Sequence, residues 1–168
     1  MAVRPIVIYG NSVLREVTQP IETIDQKVKD LVRDMIATLK DASGLGLAAP
    51  QVGVGSRIFI VDLSAIDLTE SVRVFINPEI VETAGEISLE EGCLSFPGIF
   101  QKVTRPEKVK VRATDLDGKV FELEASGMLA RAVLHEYDHL DGKLFIDYFS
   151  SLSRALIKGK LRKMAAAS

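Results

Sequence analysis

The sequence predicts an α+β fold, mainly antiparallel sheets around a central helix, with an N-terminal and a C-terminal helix. Three observations carry this. Helical periodicity is confined to one segment before residue 43, one around residues 127–140 and one over 150–164. The strand-like runs lie together between the first two rather than alternating with helices. Two of those runs flank the turn signal Asp117-Gly118, which joins neighbouring strands as an antiparallel hairpin.

Each element has its own signal. After a short extended start, Thr23 and Gln26 have the spacing of a capping box. The helix behind them sets Val28, Leu31, Val32, Met35, Ile36 and Leu39 on one face, with charged residues largely opposite, and should stop near Ser43-Gly44. Residues 44–55 carry four glycines and Pro50, which rule out a regular helix there. Residues 57–62 and 72–76 read as strands, the second ending at Asn77-Pro78, and residues 80–82 can continue the sheet. Residues 108–113 and 119–124 alternate with period two. Ser126 is a candidate cap for the central helix and Asp141-Gly142 a candidate stop. The last helix places Leu152, Leu156, Ile157 and Leu161 at helical spacing, and its charges, Arg154, Lys158, Lys160, Arg162 and Lys163, are all positive.

Composition narrows the function. A chain of 168 residues, 47% hydrophobic, is long enough for a real core and is expected to form a single domain over 1–168. A formal charge of −2 does not indicate a general affinity for nucleic acid. The only cysteine, Cys93, excludes an internal disulfide. The start lacks a signal peptide's apolar run and no segment is long and apolar enough to span a bilayer, so a cytoplasmic protein with no membrane association is expected.

Both histidines of the chain lie in Leu134-His-Glu-Tyr-Asp-His-Leu140. Positions i and i+4 of a helix share a face, so His135 and His139 point into one small volume, as two nitrogen ligands of a divalent metal do. Glu136 is turned about 100° around the axis, where it reaches a water without becoming a ligand. The alternative is two surface histidines on an ordinary amphipathic helix. A third ligand decides between them. No histidine or glutamate follows His139, and Asp141 points away from the metal face while Asp147 lies further on. Cys93, behind Gly92 in Glu90-Glu-Gly-Cys-Leu-Ser95, is the best remaining candidate, against the ordinary role of a lone cysteine as a small buried hydrophobe. Residues 44–49 formally match the dinucleotide fingerprint, but they follow a helix and precede Pro50, the wrong context. They read better as a loop that exposes backbone groups, with the Gln51 amide free to donate.

Taken together, Gly44-Leu-Gly-Leu-Ala-Ala-Pro-Gln51, Glu91-Gly-Cys-Leu-Ser95 and His135-Glu-Tyr-Asp-His139 resemble the peptide deformylases, in order and spacing across essentially the whole chain. The resemblance implies a metal-dependent hydrolase that removes the N-terminal formyl group from formylmethionyl nascent polypeptides. It implies that Cys93, His135 and His139 bind one divalent ion, and it favours Fe2+, although a thiolate with two imidazoles also suits Zn2+. Glu136 corresponds to the general base and acid. Gln51 and the Leu94 N–H correspond to oxyanion donors. Backbone groups of Leu45, Gly46 and Gly92 correspond to those that hold the substrate as an added strand. Leu134 stands where the family commonly has glutamine, and Pro50 fills a variable position. On helical geometry Met128 and Ala132 are candidates for the wall of a methionine pocket, or plain core residues, with Ile99 or Phe100 as further candidates. The basic last helix is a solvated amphipathic helix or, as the family suggests, a site for docking on the ribosome. Two other classes stay open: a zinc endopeptidase of the HExxH type, and a non-catalytic metal- or RNA-binding module.

Overall fold

Helix α1 (Gln26–Ala42) shows how local signals set the boundaries in the computed structural model, which describes residues 1–168. Its cap is Asp25 rather than the expected Thr23: the Asp25 carboxylate accepts from the Val28 N–H at 3.1 Å. Gln26 is thus the first helical residue, too early to close a capping box, and its amide instead donates to Asp30 at 2.8 Å. The helix stops where expected, at Ser43, whose φ of 56° turns its N–H back onto the last-turn carbonyls.

Seven strands follow: β1 (Gly46–Ala48), β2 (Ile58–Val61), β3 (Arg73–Ala84), β4 (Ile87–Gly92), β5 (Phe100–Arg105), β6 (Lys108–Thr114) and β7 (Val120–Ser126). Five form one antiparallel sheet in the order β1-β2-β3-β6-β7, and β4 pairs only with β5. The hairpin around Asp117-Gly118 forms as predicted, with Lys110 opposite Glu124 and Thr114 opposite Val120. Two expectations need correction. The run expected to end at Asn77-Pro78 continues as one twelve-residue strand, because a register shift between Ile76 and Glu79 takes up the proline, which has no N–H for the ladder. Asn77 sits there at φ 50° and its side chain both accepts from the Ile21 N–H (2.8 Å) and donates to the Ile21 carbonyl (2.7 Å). Strands β4 and β5 were not expected at all.

Alternation along β1 and β2 explains the layering. Leu47, Ile58 and Ile60 face α1, while Ala48, Phe59 and Val61 face the central helix α2 (Gly127–Leu140), so both sheet faces are covered. That is why residues 58–61 read as an unbroken apolar run. A third cluster, built around Phe96, Val103 and Phe145, lies beside the two-stranded sheet. Helix α3 (Ser151–Ala167) covers it with Ile157, Leu161 and Met164, whereas Leu152 and Leu156 stay exposed, so only half of the expected apolar face is used. No helix is long and apolar enough to cross a membrane.

Candidate metal centre and substrate cavity

Helix α2 carries the site. It starts at Gly127, at φ 61°; Ser126 holds the cap position but its side chain makes no capping bond. It ends at Asp141-Gly142, where a Cβ on Gly142 (φ 71°) would lie 2.5 Å from the Arg15 carbonyl oxygen, so only glycine fits. Between these ends His135 and His139 are both buried, their ring centroids 5.1 Å apart. The turn after β4 brings Cys93 to them, with its Sγ 3.4 Å from His139 Nε2. One ligand atom from each of Cys93, His135 and His139 lies within 4.8 Å of the other two. The two aspartates weighed as alternatives are held elsewhere, Asp141 by Arg57 at 2.9 Å and Asp147 by Arg15 at 2.8 Å.

The surroundings fit a divalent cation. A ligating imidazole is usually oriented by a partner on its other nitrogen: His135 Nδ1 lies 2.8 Å from the buried Glu91 carboxylate, whereas the buried His139 Nδ1 has no partner in the chain. Gln51 Nε2 donates to Cys93 Sγ (3.6 Å) and Ser95 Oγ (3.1 Å), while its Oε1 accepts from the Ala48 N–H. The amide orientation is therefore fixed by contacts at both ends. A soft thiolate with two imidazoles is a donor set for Zn2+ or Fe2+. Burial lowers the His139 imidazole, helped by His135 and Arg105. For His135 burial acts the same way but is outweighed by Glu136, the Cys93 sulfur and Glu91, which raise it.

Glu136 is buried and its Oε1 has no partner in the chain. Burial pushes its carboxyl up to about 7, against the pull of His135 and Arg105. It lies against Gly46, where a Cβ would come within 2.6 Å of its Oε2. β1 is an edge strand, paired only with β2, and Gly46 opens from it onto a cavity of about 670 Å3. Leu45, Gly92 and Leu94 also line this cavity, as do Gln51, Cys93, His135 and Glu136. The Leu94 N–H takes no partner within the chain. Met128 and Ala132 lie on its wall with Phe100, whereas Ile99 is buried in the third cluster and does not reach it.

Sequence reasoning missed Glu91, Arg105, Arg131 and Asp138. Glu91 accepts from Arg105 Nε (2.5 Å), Arg105 Nη2 (3.0 Å) and Arg131 Nη1 besides its contact with His135. Burial opposes its charge, but His135 and Arg105 overcome it and hold the carboxyl at about 2. Glu91 and Arg105 occupy inward positions of β4 and β5, and their charges break the apolar alternation that would have marked these strands in the sequence.

A thiol and two imidazoles converging at one end of a cavity, with a buried carboxylate beside them, define a metal-dependent hydrolase. The comparisons with known proteins give the class its family. The model for polypeptide deformylase matches residues 3–155, and the chain belongs to that family. It is 53% identical over 147 residues to a peptide deformylase of Clostridium botulinum, covering 88% of this chain and 97% of that one. With a peptide deformylase of Mesorhizobium japonicum it shares 45% over 166 residues, covering 98% and 94%. The crystal structure of a peptide deformylase from Legionella pneumophila superposes with a TM-score of 0.91 at 43% identity, covering 99% and 97%. That from Ehrlichia chaffeensis in complex with actinonin gives 0.89 at 37%, covering 97% and 98%.

Proposed function

We propose that this chain, acting as one catalytic domain over residues 1–168, removes the N-terminal formyl group from formylmethionyl peptides and releases formate. The observation that carries this is the convergence of Cys93, His135 and His139 at the end of a cavity whose wall also holds an unpaired Glu136 carboxylate. Cys93, His135 and His139 would hold one divalent ion, Fe2+ in preference to Zn2+. When bound, such an ion supplies Lewis acidity, making water a nucleophile at neutral pH and polarising the formyl carbonyl.

The chain's own groups do the rest. The free edge of β1 at Gly46, with Leu45 just before the strand and Gly92 opposite, binds the peptide backbone as an added strand. Glu136 takes the proton of the attacking water and returns it to the departing amine, a double role suited to a carboxyl held near neutrality. The Leu94 N–H and Gln51 Nε2, the latter exchanging its long contact to Cys93 Sγ for the substrate, donate to the oxygen that becomes negative, each worth about 3 kcal/mol in the transition state. Met128, Ala132 and Phe100 receive the methionine side chain. A formyl carbon carries only hydrogen, so a narrow site beside Gly46 admits it and rejects an internal peptide bond.

The test is to incubate metal-loaded protein with formyl-Met-Ala-Ser and with its unformylated form, measuring formate and free amines. Formate from the first alone, lost in Glu136→Ala with metal retained, is the expected result. New internal amines would establish the endopeptidase, and no product the binding module.

The exposed basic face of α3, at Arg154, Lys158, Lys160, Arg162 and Lys163, is a docking surface for ribosomal RNA near emerging chains. Lys158→Glu with Lys160→Glu and Arg162→Glu should abolish salt-sensitive co-sedimentation with ribosomes and spare formate release from small peptides. Unchanged co-sedimentation refutes the docking.

A further inference from the structure

The three ligand residues come from two separate pieces of the fold. His135 and His139 ride on α2, which packs against the five-stranded sheet, whereas Cys93 follows β4 of the two-stranded sheet. No strand ladder joins the two sheets. Besides the His135–Glu91 contact, what joins α2 to β4 and β5 is a chain of four charged side chains of alternating sign, Arg131–Glu91–Arg105–Asp138, which starts and ends on α2 and is closed into a ring by the helix itself. Arg131 of α2 donates through Nη1 to Glu91 of β4 and to the Val103 carbonyl of β5 (2.9 Å), and through Nη2 to the Ile87 carbonyl of β4 (2.8 Å). Arg105 of β5 donates to Glu91 and, through Nη1, to Asp138 of α2 at 2.9 Å. Asp138 also accepts from the Tyr148 hydroxyl at 2.7 Å, and the Arg105 guanidinium lies over the Tyr148 ring.

We propose that Arg131 is a positioning residue for metal binding: its guanidinium fork locks both strands of the small sheet to the histidine helix, and so sets the distance from the Cys93 sulfur to the two imidazoles. The proposal rests on the assignment of those three ligands. Arg131 stands one turn before His135, and only 3% of its surface is exposed. Its three acceptors lie on two different strands and are reached from two separate nitrogens, which a planar fork presents in fixed directions and an ammonium, with all its donors on one nitrogen, does not. Glu91 is the shared node. The same carboxylate that Arg131 holds also touches His135 Nδ1, so a shift of the small sheet changes both the Cys93 position and the His135 ring orientation.

The experiment uses Co2+ as the probe on the full chain, with dissociation constants from chelator competition and the visible spectrum reporting sulfur-to-cobalt charge transfer. Arg131→Lys keeps a positive charge beside Glu91 but not the fork, and Arg131→Met removes the charge as well. The expected result is Co2+ affinity lowered about 10- to 100-fold in Arg131→Lys, with a weakened sulfur band and an unchanged far-ultraviolet circular dichroism spectrum. Asp138→Asn, which loosens the opposite side of the ring from a more exposed position, should show the same band change to a smaller degree. It decides the matter, with Arg131→Lys, should Arg131→Met fail to fold. Variants that lose thermal stability yet keep the wild-type affinity and sulfur band overturn the proposal, because a purely structural arginine would behave that way. A wild-type protein that binds no Co2+ overturns the ligand assignment and the positioning role with it.

Discussion

Gly46→Ala tests the placement of Glu136 more directly than removing the carboxylate does. An ideal Cβ at residue 46 would lie 2.6 Å from Glu136 Oε2, 2.8 Å from Cγ and 3.0 Å from Cδ. Ordinary contact needs about 3.5 Å, so one partner must retreat by roughly 0.5–1 Å. β1 has no room, since Leu47 and Ala48 behind Gly46 are fully buried and the strand is in register with β2. Glu136 must therefore move. The backbone at Gly46 is not left-handed, so alanine brings no torsional penalty and should gain about 0.4–1 kcal/mol from the stiffer unfolded chain. Against this stands an overpacking cost of about 1–3 kcal/mol, and displacing a reacting group by about 1 Å typically costs roughly 100-fold in rate. Urea unfolding of the wild type, Gly46→Ala, Glu136→Ala and the double variant, all with the same metal loading, separates these contributions. In the Glu136→Ala background the added methyl should become neutral or stabilising, giving a coupling of about 1–3 kcal/mol. Formate release by Gly46→Ala should fall about 100-fold. Additive stabilities, within about 0.5 kcal/mol, or a rate within about threefold of wild type would refute the contact as the reason for glycine.

Two further outcomes follow from the frame around the site. Asn77→Ala gives up two hydrogen bonds to Ile21, about 1 kcal/mol each, and forces alanine to φ 50° at about 1–2 kcal/mol more. Asn77→Gly should lose only the bonds and so unfold at higher urea than Asn77→Ala, and the reverse order would refute the torsional argument. For Asp147, burial raises the carboxyl but its bonds to Arg15 and the Leu144 N–H outweigh it, so the folded value is lowered. Its ionised form therefore stabilises the fold above the unfolded value of about 3.9, and that contribution disappears as pH falls through the lower folded one. Asp147→Asn should thus be less stable than wild type at pH 7, with the gap closing below about pH 4 in thermal melts. A gap independent of pH would show that the Arg15 pair contributes nothing through charge.

How far the sequence could be read depended on whether a residue's partner was local. Helix α1, the Asp117-Gly118 hairpin and the i, i+4 histidines are set by neighbours within a few positions, and all three appear as predicted apart from the cap of α1. The family motifs extended this to Cys93 and Gln51, which lie 42 residues apart yet meet at 3.6 Å. Strands β4 and β5 escaped because the pattern that betrays a strand is an apolar residue at every second place. Here the inward places of β4 are Ile87, Leu89 and Glu91, and those of β5 are Gln101, Val103 and Arg105. The charges that spoil the alternation are the ones that reach α2. Arg131 and Glu91 are 40 residues apart in sequence, and nothing within either segment announces the other.

That concealment has an energetic counterpart. Glu91, Arg105 and Arg131 are each buried, and well-packed apolar side chains in their places would commonly give equal or better stability, since taking such charges out of water costs more than their mutual attraction returns. A ring of this kind is weakly explained as reinforcement of the fold. Its fixed donor directions explain it better. Apolar packing tolerates slippage between the small sheet and α2, whereas forked donors aimed at a carboxylate and at two strand carbonyls do not. A site whose sulfur and imidazoles come from different pieces of chain requires that rigidity, because a metal ion fixes its ligand distances to within about 0.2 Å.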